Sequence, residues 1–375
     1  MALPGPLGPE DLANVPAKRG VFLLEGPAGQ PILLATAADI RSRMRGRLAP
    51  PEEEAPASRR ADLREIATRL RWRLTTGHFE TDWQYLELAR LIYPDRYRRM
   101  LAFAPARFVH VRTDEAFATF ARVRQVPATG RCFGPFATSR ACGRFIEILQ
   151  EVFDLCRCEQ LFTGGGAGCI YAQMGQCIAP CRREDALPVY ADMIDRACRC
   201  AAGERDEIAR QLQQAMRQAA ADREYELAAR CRQRLERLAE LDQPAFAHAA
   251  AAERFQYVLI QPGGGRRKLK AFLFDRGAIR GRLLDYPPAP RQLASLLSAT
   301  AKFSSGARAI GQPEQERIAL VAQLLFTSPA RRGVAVRYGP ALTAQELARR
   351  IEAGAGVLGV ARAKRPQTGE GSAPK

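Results

Sequence analysis

No apolar run in this 375-residue chain approaches the roughly 18 residues that a membrane-spanning helix needs. The first residues, MALPGPLGPEDLANVPAKRG, also lack the basic start and apolar stretch of a secretory signal. These absences predict a cytoplasmic protein without a membrane partner. In that reducing compartment ten cysteines do not read as a disulfide framework, which leaves metal ligands or buried thiols. Acidic residues are in deficit: 40 Asp and Glu stand against 57 Lys and Arg, a formal charge of +17. Lysine is scarce too, so the excess is mostly arginine, whose planar fork suits phosphate. A basic excess of this size points to a polyanion, nucleic acid first, and says nothing of fold. A GC-rich genome also raises Ala and Arg together, so composition alone leaves the partner open.

What is present is organised in segments. RGVFLLEG (19–26) and PILLAT (31–36) read as two short strands around a Gly-Pro turn. AADIRSRMRGRL then turns helical, with Ile40, Met44 and Leu48 on one face and Arg41, Arg43, Arg45 and Arg47 around the rest. APPEEEAPASRR (49–60) has the composition of a solvated loop. ADLREIATRLRWRL and DWQYLELARLIY continue as helical patterns that end before Pro94. RFVHVR (107–112) alternates as a strand, GRCFGPF (130–136) reads as a turn, and SRACGRFIEILQEVF as a helix. From about Tyr190 to Asp242 the charged pattern predicts two antiparallel helices. FQYVLIQ, LKAFLFDRG and IRGRLLDYP predict a small antiparallel sheet, followed by helices RQLASLLSATAKF and QERIALVAQLLF and a late strand in RGVAVRYG. The tail after Gly359 reads as disordered. The fold class is α+β and multidomain, with boundaries expected at 1–103, 104–188, 189–245, 253–345 and 346–375.

The densest chemistry lies in CEQLFTGGGAGCIYAQMGQCIAPC. Cys158, Cys169, Cys177 and Cys181 supply four soft thiolates within one loop, enough to enclose a metal centre. An all-thiolate set suits an iron–sulfur cluster or a structural zinc, and spacing does not decide between them, although paired Cys-x-x-Cys knuckles are absent. Buried free thiols are the plain alternative. Cys156, Cys198 and Cys200 are near enough in sequence to be rival ligands.

FGPFATSRACGRFIEILQEVFDLCRC and the following Cys-x7-GQCIAPC resemble the central segment of the UvrC excinuclease family of bacterial nucleotide excision repair. The resemblance implies a four-iron four-sulfur cluster on Cys158, Cys169, Cys177 and Cys181, with zinc as the alternative. LQQAMRQAAADREYELAARCRQRLERL (212–238) resembles the UVR motif, a helical hairpin that pairs with a like hairpin of a UvrB-type partner. Met216, Ala219, Ala220, Tyr225, Ala228, Ala229, Leu235 and Leu238 fall on its packing positions, and Glu224, Glu226 and Arg232 supply its charges. For partner binding the expected residues are Met216, Tyr225, Glu226, Ala229 and Arg232.

The first 103 residues resemble a GIY-YIG nuclease domain in degenerate form. The tyrosines of that family become Phe22 and Leu33, its second-motif glycine becomes Ala35, and the following lysine becomes Thr36. Arg43 stands at the phosphate-binding arginine and Glu87 is the candidate for the single metal-binding glutamate, so a divalent metal is implied only if the domain is active. Phenylalanine and leucine do no acid–base work, and losing groups that act as a unit removes most of a rate enhancement. Arg41, Arg43 and Arg45 are the expected DNA contacts. Beyond Phe255 the strands resemble those after the UVR motif, and after them the RNase H-like nuclease and the helix-hairpin-helix repeats of the family find no counterpart. Three functions compete: a repair adaptor that binds DNA and a UvrB-type partner without cutting, an active single-incision endonuclease, and a metal- or redox-responsive DNA-binding module.

Overall fold

The computed structural model describes residues 12–48, 63–112, 118–157, 169–265, 267–303, 310–339 and 341–360. The chain begins with strands β1 (Gly20–Glu25) and β2 (Pro31–Ala37), then helix α1 (Ile40–Leu48) and a single turn α2 (Leu63–Ile66). The expected loop 49–60 and the expected disordered tail lie outside the described residues, except Val360 of the tail.

Residues 69–74, expected to be helical, form strand β3 (Arg69–Leu74), antiparallel to β1 in a sheet of order β2-β1-β3. The reason is visible in RLRWRL. Arginine alternates with Leu70 and Trp72, a period of two that puts the apolar pair on one face of a strand and that a helix would scatter. That face, with Phe22 and Leu24, packs on Ile40, Met44 and Leu48 of α1. The opposite face, through Val21 and Leu34, packs on Phe79 and Leu86 of helix α3 (His78–Ile92). Helices α1 and α3 therefore lie on opposite sides of the sheet.

After a turn α4 (Tyr97–Met100) comes a second antiparallel sheet: β4 (Arg107–Arg112), β5 (Thr119–Val123) and β6 (Arg131–Phe136), in order β5-β4-β6-β7 with the short β7 (Ala250–Ala251). GRCFGPF is thus mostly strand and not turn. Its apolar residues Cys132, Phe133 and Phe136 are all buried, and tertiary packing on both faces overrides the turn signal of Gly134 and Pro135. Helix α5 (Ser139–Phe153) starts where Thr138 Oγ1 accepts the Ala141 amide at 3.0 Å, and ends at Asp154 in the left-handed region (φ 49°).

A turn α6 (Ile170–Gln173) precedes three helices, α7 (Leu187–Ala201), α8 (Asp206–Ala221) and α9 (Tyr225–Ala239), where the charge pattern predicted two. The missed break is Gly203, at φ 106°, a conformation that costs glycine nothing. Helices α8 and α9 form the predicted hairpin.

The last sheet contains β8 (Gln256–Pro262), β9 (Lys268–Asp275), β10 (Ala278–Asp285) and β11 (Val334–Arg337), in order β10-β9-β8-β11, with helices α10 (Pro290–Phe303), α11 (Gln312–Leu325), α12 (Pro329–Arg332) and α13 (Ala344–Ala353). Alternate residues of its strands enter different cores. Val258, Ile260, Leu269 and Ala271 meet α10 and α13, whereas Tyr257, Leu259, Phe272 and Phe274 join α3 and α11. This second core also takes in Phe108 and Cys132 of the middle sheet, so one apolar cluster ties together all three sheets.

His248 sits at that junction, its ring edge-on to Phe326 with centroids 5.2 Å apart and its carbonyl accepting from Arg337 at 2.6 Å. Burial, then the charges of Arg337 and Arg332, hold its pKa down at about 4. A group with a depressed folded pKa contributes stability that is complete above its ordinary value near 6.5 and is lost as pH falls toward 4. Partial solvent exposure trims the loss by pH 5 to on the order of 1 kcal/mol. Urea midpoints at pH 7 and pH 5 are expected to differ accordingly, and to converge in His248→Gln.

Candidate functional site

The first candidate region is the N-terminal sheet. Phe22 is fully buried and Leu33 half-buried in the apolar core beneath α1, so neither presents a polar group to a cleft. The three expected DNA contacts separate. Arg41 is turned inward, donating from Nε to the carbonyl of Val15 (2.6 Å) and from Nη2 to that of Ala13 (3.1 Å). Arg43 lines an open cleft of about 580 Å³ with Asp39, Ser42 and Arg47, while Arg45 is exposed outside that lining.

Glu87 lies on α3, across the sheet from Arg43, and the two do not share this cleft. Both its oxygens are taken. Oε1 accepts from Arg317 Nε (2.6 Å) and Trp83 Nε1 (3.1 Å), and Oε2 from Arg317 Nη2 (3.1 Å) and Arg90 Nη2 (2.9 Å). A carboxylate offers about four lone-pair positions, and four donors fill them. Burial pushes the Glu87 carboxyl up, but the hydrogen bond and charge of Arg317, aided by Arg90, outweigh it and the group titrates below the usual carboxylate range. This is the chemistry of an ion-pair bolt, and it does not fit a divalent-cation ligand.

The second region is the cysteine loop. Cys158 lies outside the described residues; Cys169 and Cys177 are buried and Cys181 half-buried. A hydrogen bond from the Cys156 thiol holds the Cys177 thiol down at about 6 against the effect of burial, whereas burial pushes Cys181 up, with the charges of Cys177 and Cys169 adding to the rise. Tyr190 closes the group: its hydroxyl donates to the Ala118 carbonyl (3.2 Å) and accepts the Cys156 amide (3.3 Å). Of the rival ligands only Cys156 stands here. Cys198 is bonded to Arg131 and Cys200 is pushed up to about 12 by burial, both within α7. Among the described residues no three His, Cys, Asp or Glu side chains are drawn together as a metal cage. The donor type nevertheless suits a soft metal, since a thiol that loses its proton this readily is a thiolate ligand in waiting.

The third region is the α8–α9 hairpin. Its turn closes through the Glu224 amide on the Ala219 carbonyl (2.8 Å), with Arg223 at φ 64°. Ala219, Cys231 and Leu238 are buried along the seam and Met216 is half-buried. At the tip Tyr225 is 70% exposed and Leu227 41%, beside exposed Glu226, Ala229 and Arg232. An exposed aromatic and leucine on a helix end are what a docking surface presents.

The base of the hairpin is fixed by charge. Arg144 on α5 forks onto Glu240 (2.8 and 2.9 Å), Arg237 reaches Glu151 (2.6 Å), and Arg234 pairs with Asp154. Sequence reasoning passed over this contact, yet the signal was present: Arg230, Arg234 and Arg237 recur at helical spacing on α9, as do Glu147, Glu151 and Asp154 along α5.

Residues 108–200 match the family described as UvrC/Cho excinuclease, middle domain, and residues 206–241 match the UvrB/uvrC motif. The chain carries a segment similar to the UvrC middle domain, followed by a UvrB/uvrC motif. The UvrC match thus covers β4 to β6 of the middle sheet, α5, the cysteine loop and nearly all of α7, and the motif match coincides with α8 and α9. The chain is similar to UvrABC system protein C of Petrotoga mobilis, 24% identical over 254 residues, 67% of this chain and 44% of that protein. It is 26% identical over 276 residues to the protein of that name from Moorella thermoacetica, covering 72% of this chain and 43% of the relative. With the one from Rhizobium etli it shares 31% over 167 residues, 44% and 25% of the two chains. The chain spans less than half the length of these UvrC relatives, and no solved structure matches it.

Proposed function

We propose that this UvrC-type chain is a nucleotide-excision-repair adaptor, which binds DNA, docks a UvrB-type partner through the α8–α9 hairpin and does not itself cut. The observation that carries the reading is the exposed tip: Tyr225 and Leu227 project from a hairpin whose base is clamped, so the free end is available and rigidly aimed. The absence of cutting rests on three features of the degenerate GIY-YIG region: Phe22 and Leu33 carry no ionisable group, Arg43 and Glu87 lie on opposite sides of the sheet, and Arg317 occupies Glu87. Hydrolysis of a phosphodiester needs a base, a charge sink and a metal-holding carboxylate in one place.

Cys158, Cys169, Cys177 and Cys181 are the residues that would hold a four-iron four-sulfur cluster, with zinc as the alternative. Such a centre supplies a thiolate-bound crosslink that couples loop order to metal binding.

The test is a nicking assay on damaged duplex with a UvrB-type partner and divalent metal, paired with a binding measurement. No strand cleavage is expected. Tyr225→Ala should weaken the partner complex about 30-fold, the effect of truncating an aromatic anchor worth about 2 kcal/mol. Robust nicking by the unmodified chain that vanishes in Glu87→Gln would replace the adaptor by a single-incision endonuclease. Unchanged partner affinity in Tyr225→Ala would remove the hairpin from the reading.

A further inference from the structure

Between α5, the cysteine loop and α9 lies a cavity of about 170 Å³, lined by Glu151, Asp154, Arg157, Arg230, Arg234 and Arg237, with Gly175 and Gln176 of the loop closing one side. At about 30 Å³ per water it holds several waters, room enough for a tetrahedral oxyanion. Four guanidinium groups face two carboxylates. Arg234 is committed to Asp154, and Arg237 to Glu151 (2.6 Å) and Glu240 (2.6 Å); Glu151 is also shared with Arg144 at 3.7 Å. That leaves Arg157 and Arg230 without a carboxylate among the described residues. The Arg157 guanidinium lies 4.8 Å above the Tyr171 ring, which fixes its plane, and its Nε is buried with no hydrogen-bond partner among the described residues. Its plane is thus held at the cavity wall with no carboxylate among the described residues to neutralise it.

We propose that this cavity is a phosphate site, in which Arg157 and Arg230 grip one phosphate group and so bridge the cysteine loop to the second helix of the hairpin. Phosphate is favoured over a carboxylate ligand because it offers acceptor oxygens to two forks at once and because the whole chain is charged for a polyanion. The phosphate can come from a nucleic-acid backbone or be free in solution. The backbone source rests on the DNA-binding reading above; the site itself does not.

The experiment uses the full chain, Arg157→Gln, Arg230→Gln and the double variant, with Arg43→Gln as a control on the α1 cleft. Binding of a labelled duplex is followed across a salt series, and the melting temperature is measured with inorganic phosphate against chloride at equal ionic strength. For the backbone source, the double variant weakens duplex binding about tenfold and its log–log salt slope shrinks by about 0.9, one phosphate contact. A phosphate-induced rise in melting temperature that the double variant loses, with the duplex slope unchanged, keeps the site and assigns it free phosphate. If neither duplex slope nor phosphate response differs between the chain and its variants, the proposal is overturned. Arg230 is exposed, so Arg230→Gln folds even if Arg157→Gln does not, and half of the effect is then read from it alone. Failure of the chain to bind duplex at all would sink the adaptor reading while the phosphate arm still decides the site.

Discussion

If the proposed metal centre forms, Cys177→Ser is expected to abolish it and much of the stability together. Purified without oxygen, the unmodified chain should be brown, with a broad visible charge-transfer band and iron and sulfide in equal amounts. The serine variant should be colourless and should melt well below it. Two features make Cys177 the sensitive position. Its thiol is held down at about 6 by the Cys156 hydrogen bond, and it is buried in the core that joins α5 to α7. Replacing it would remove a proposed ligand and leave a polar hydroxyl in an apolar setting. Cys181→Ser should act alike. Cys198→Ser and Cys200→Ser should keep the colour, because those thiols are directed elsewhere in α7. Cys156→Ser separates two roles: retained colour makes Cys156 a neighbour that tunes Cys177, and lost colour makes it a ligand. A colourless protein with one zinc per chain would discard the iron–sulfur proposal and keep the metal.

Local pattern explains most of what the sequence revealed. The helix over 139–153 and the hairpin follow a period of 3.6 that burial then reinforces, while the strands at 256–262 and 268–275 show as short apolar runs buried on both faces. Where the reading failed, two signals competed. RLRWRL continued an arginine-rich helical pattern, but Leu70 and Trp72 needed a common face that only a strand supplies. The candidate site divided in the same way. The cysteines and the hairpin were legible because their chemistry is contiguous in sequence. The partner of Glu87 was not, because Arg317 is 230 residues away and no periodicity links an ion pair across two sheets. Arg157 illustrates a third kind of miss: a single arginine after a helix has no pattern, and only the cavity around it gives it meaning.

Breaking the Glu87–Arg317 pair is expected to cost stability and to yield no cleavage. Arg317→Ala leaves the Glu87 carboxylate half-buried with only Arg90 and Trp83 as donors, and it also removes the bond from Arg317 Nη1 to the Gly277 carbonyl (3.3 Å). Removing one partner of a fully buried pair costs about 3–5 kcal/mol; with both side chains partly exposed, about 2 kcal/mol is expected from urea unfolding. Replacing both partners, as Glu87→Leu with Arg317→Met, should recover most of that loss, because no charge is then stranded. The pH dependence has a definite sign. Glu87 titrates below its ordinary value, so its contribution is complete above that value and fades only as the solution is acidified through the lower folded pKa. Stability near neutral pH should therefore not sense it. The decisive comparison is manganese binding measured by the spin resonance of the free ion. A bolt predicts no difference between the unmodified chain and Glu87→Gln, with the cost appearing in unfolding alone. A manganese site that is present in the chain and absent from Glu87→Gln would make Glu87 a metal ligand after all, and the N-terminal sheet would then have to be treated as a working nuclease centre.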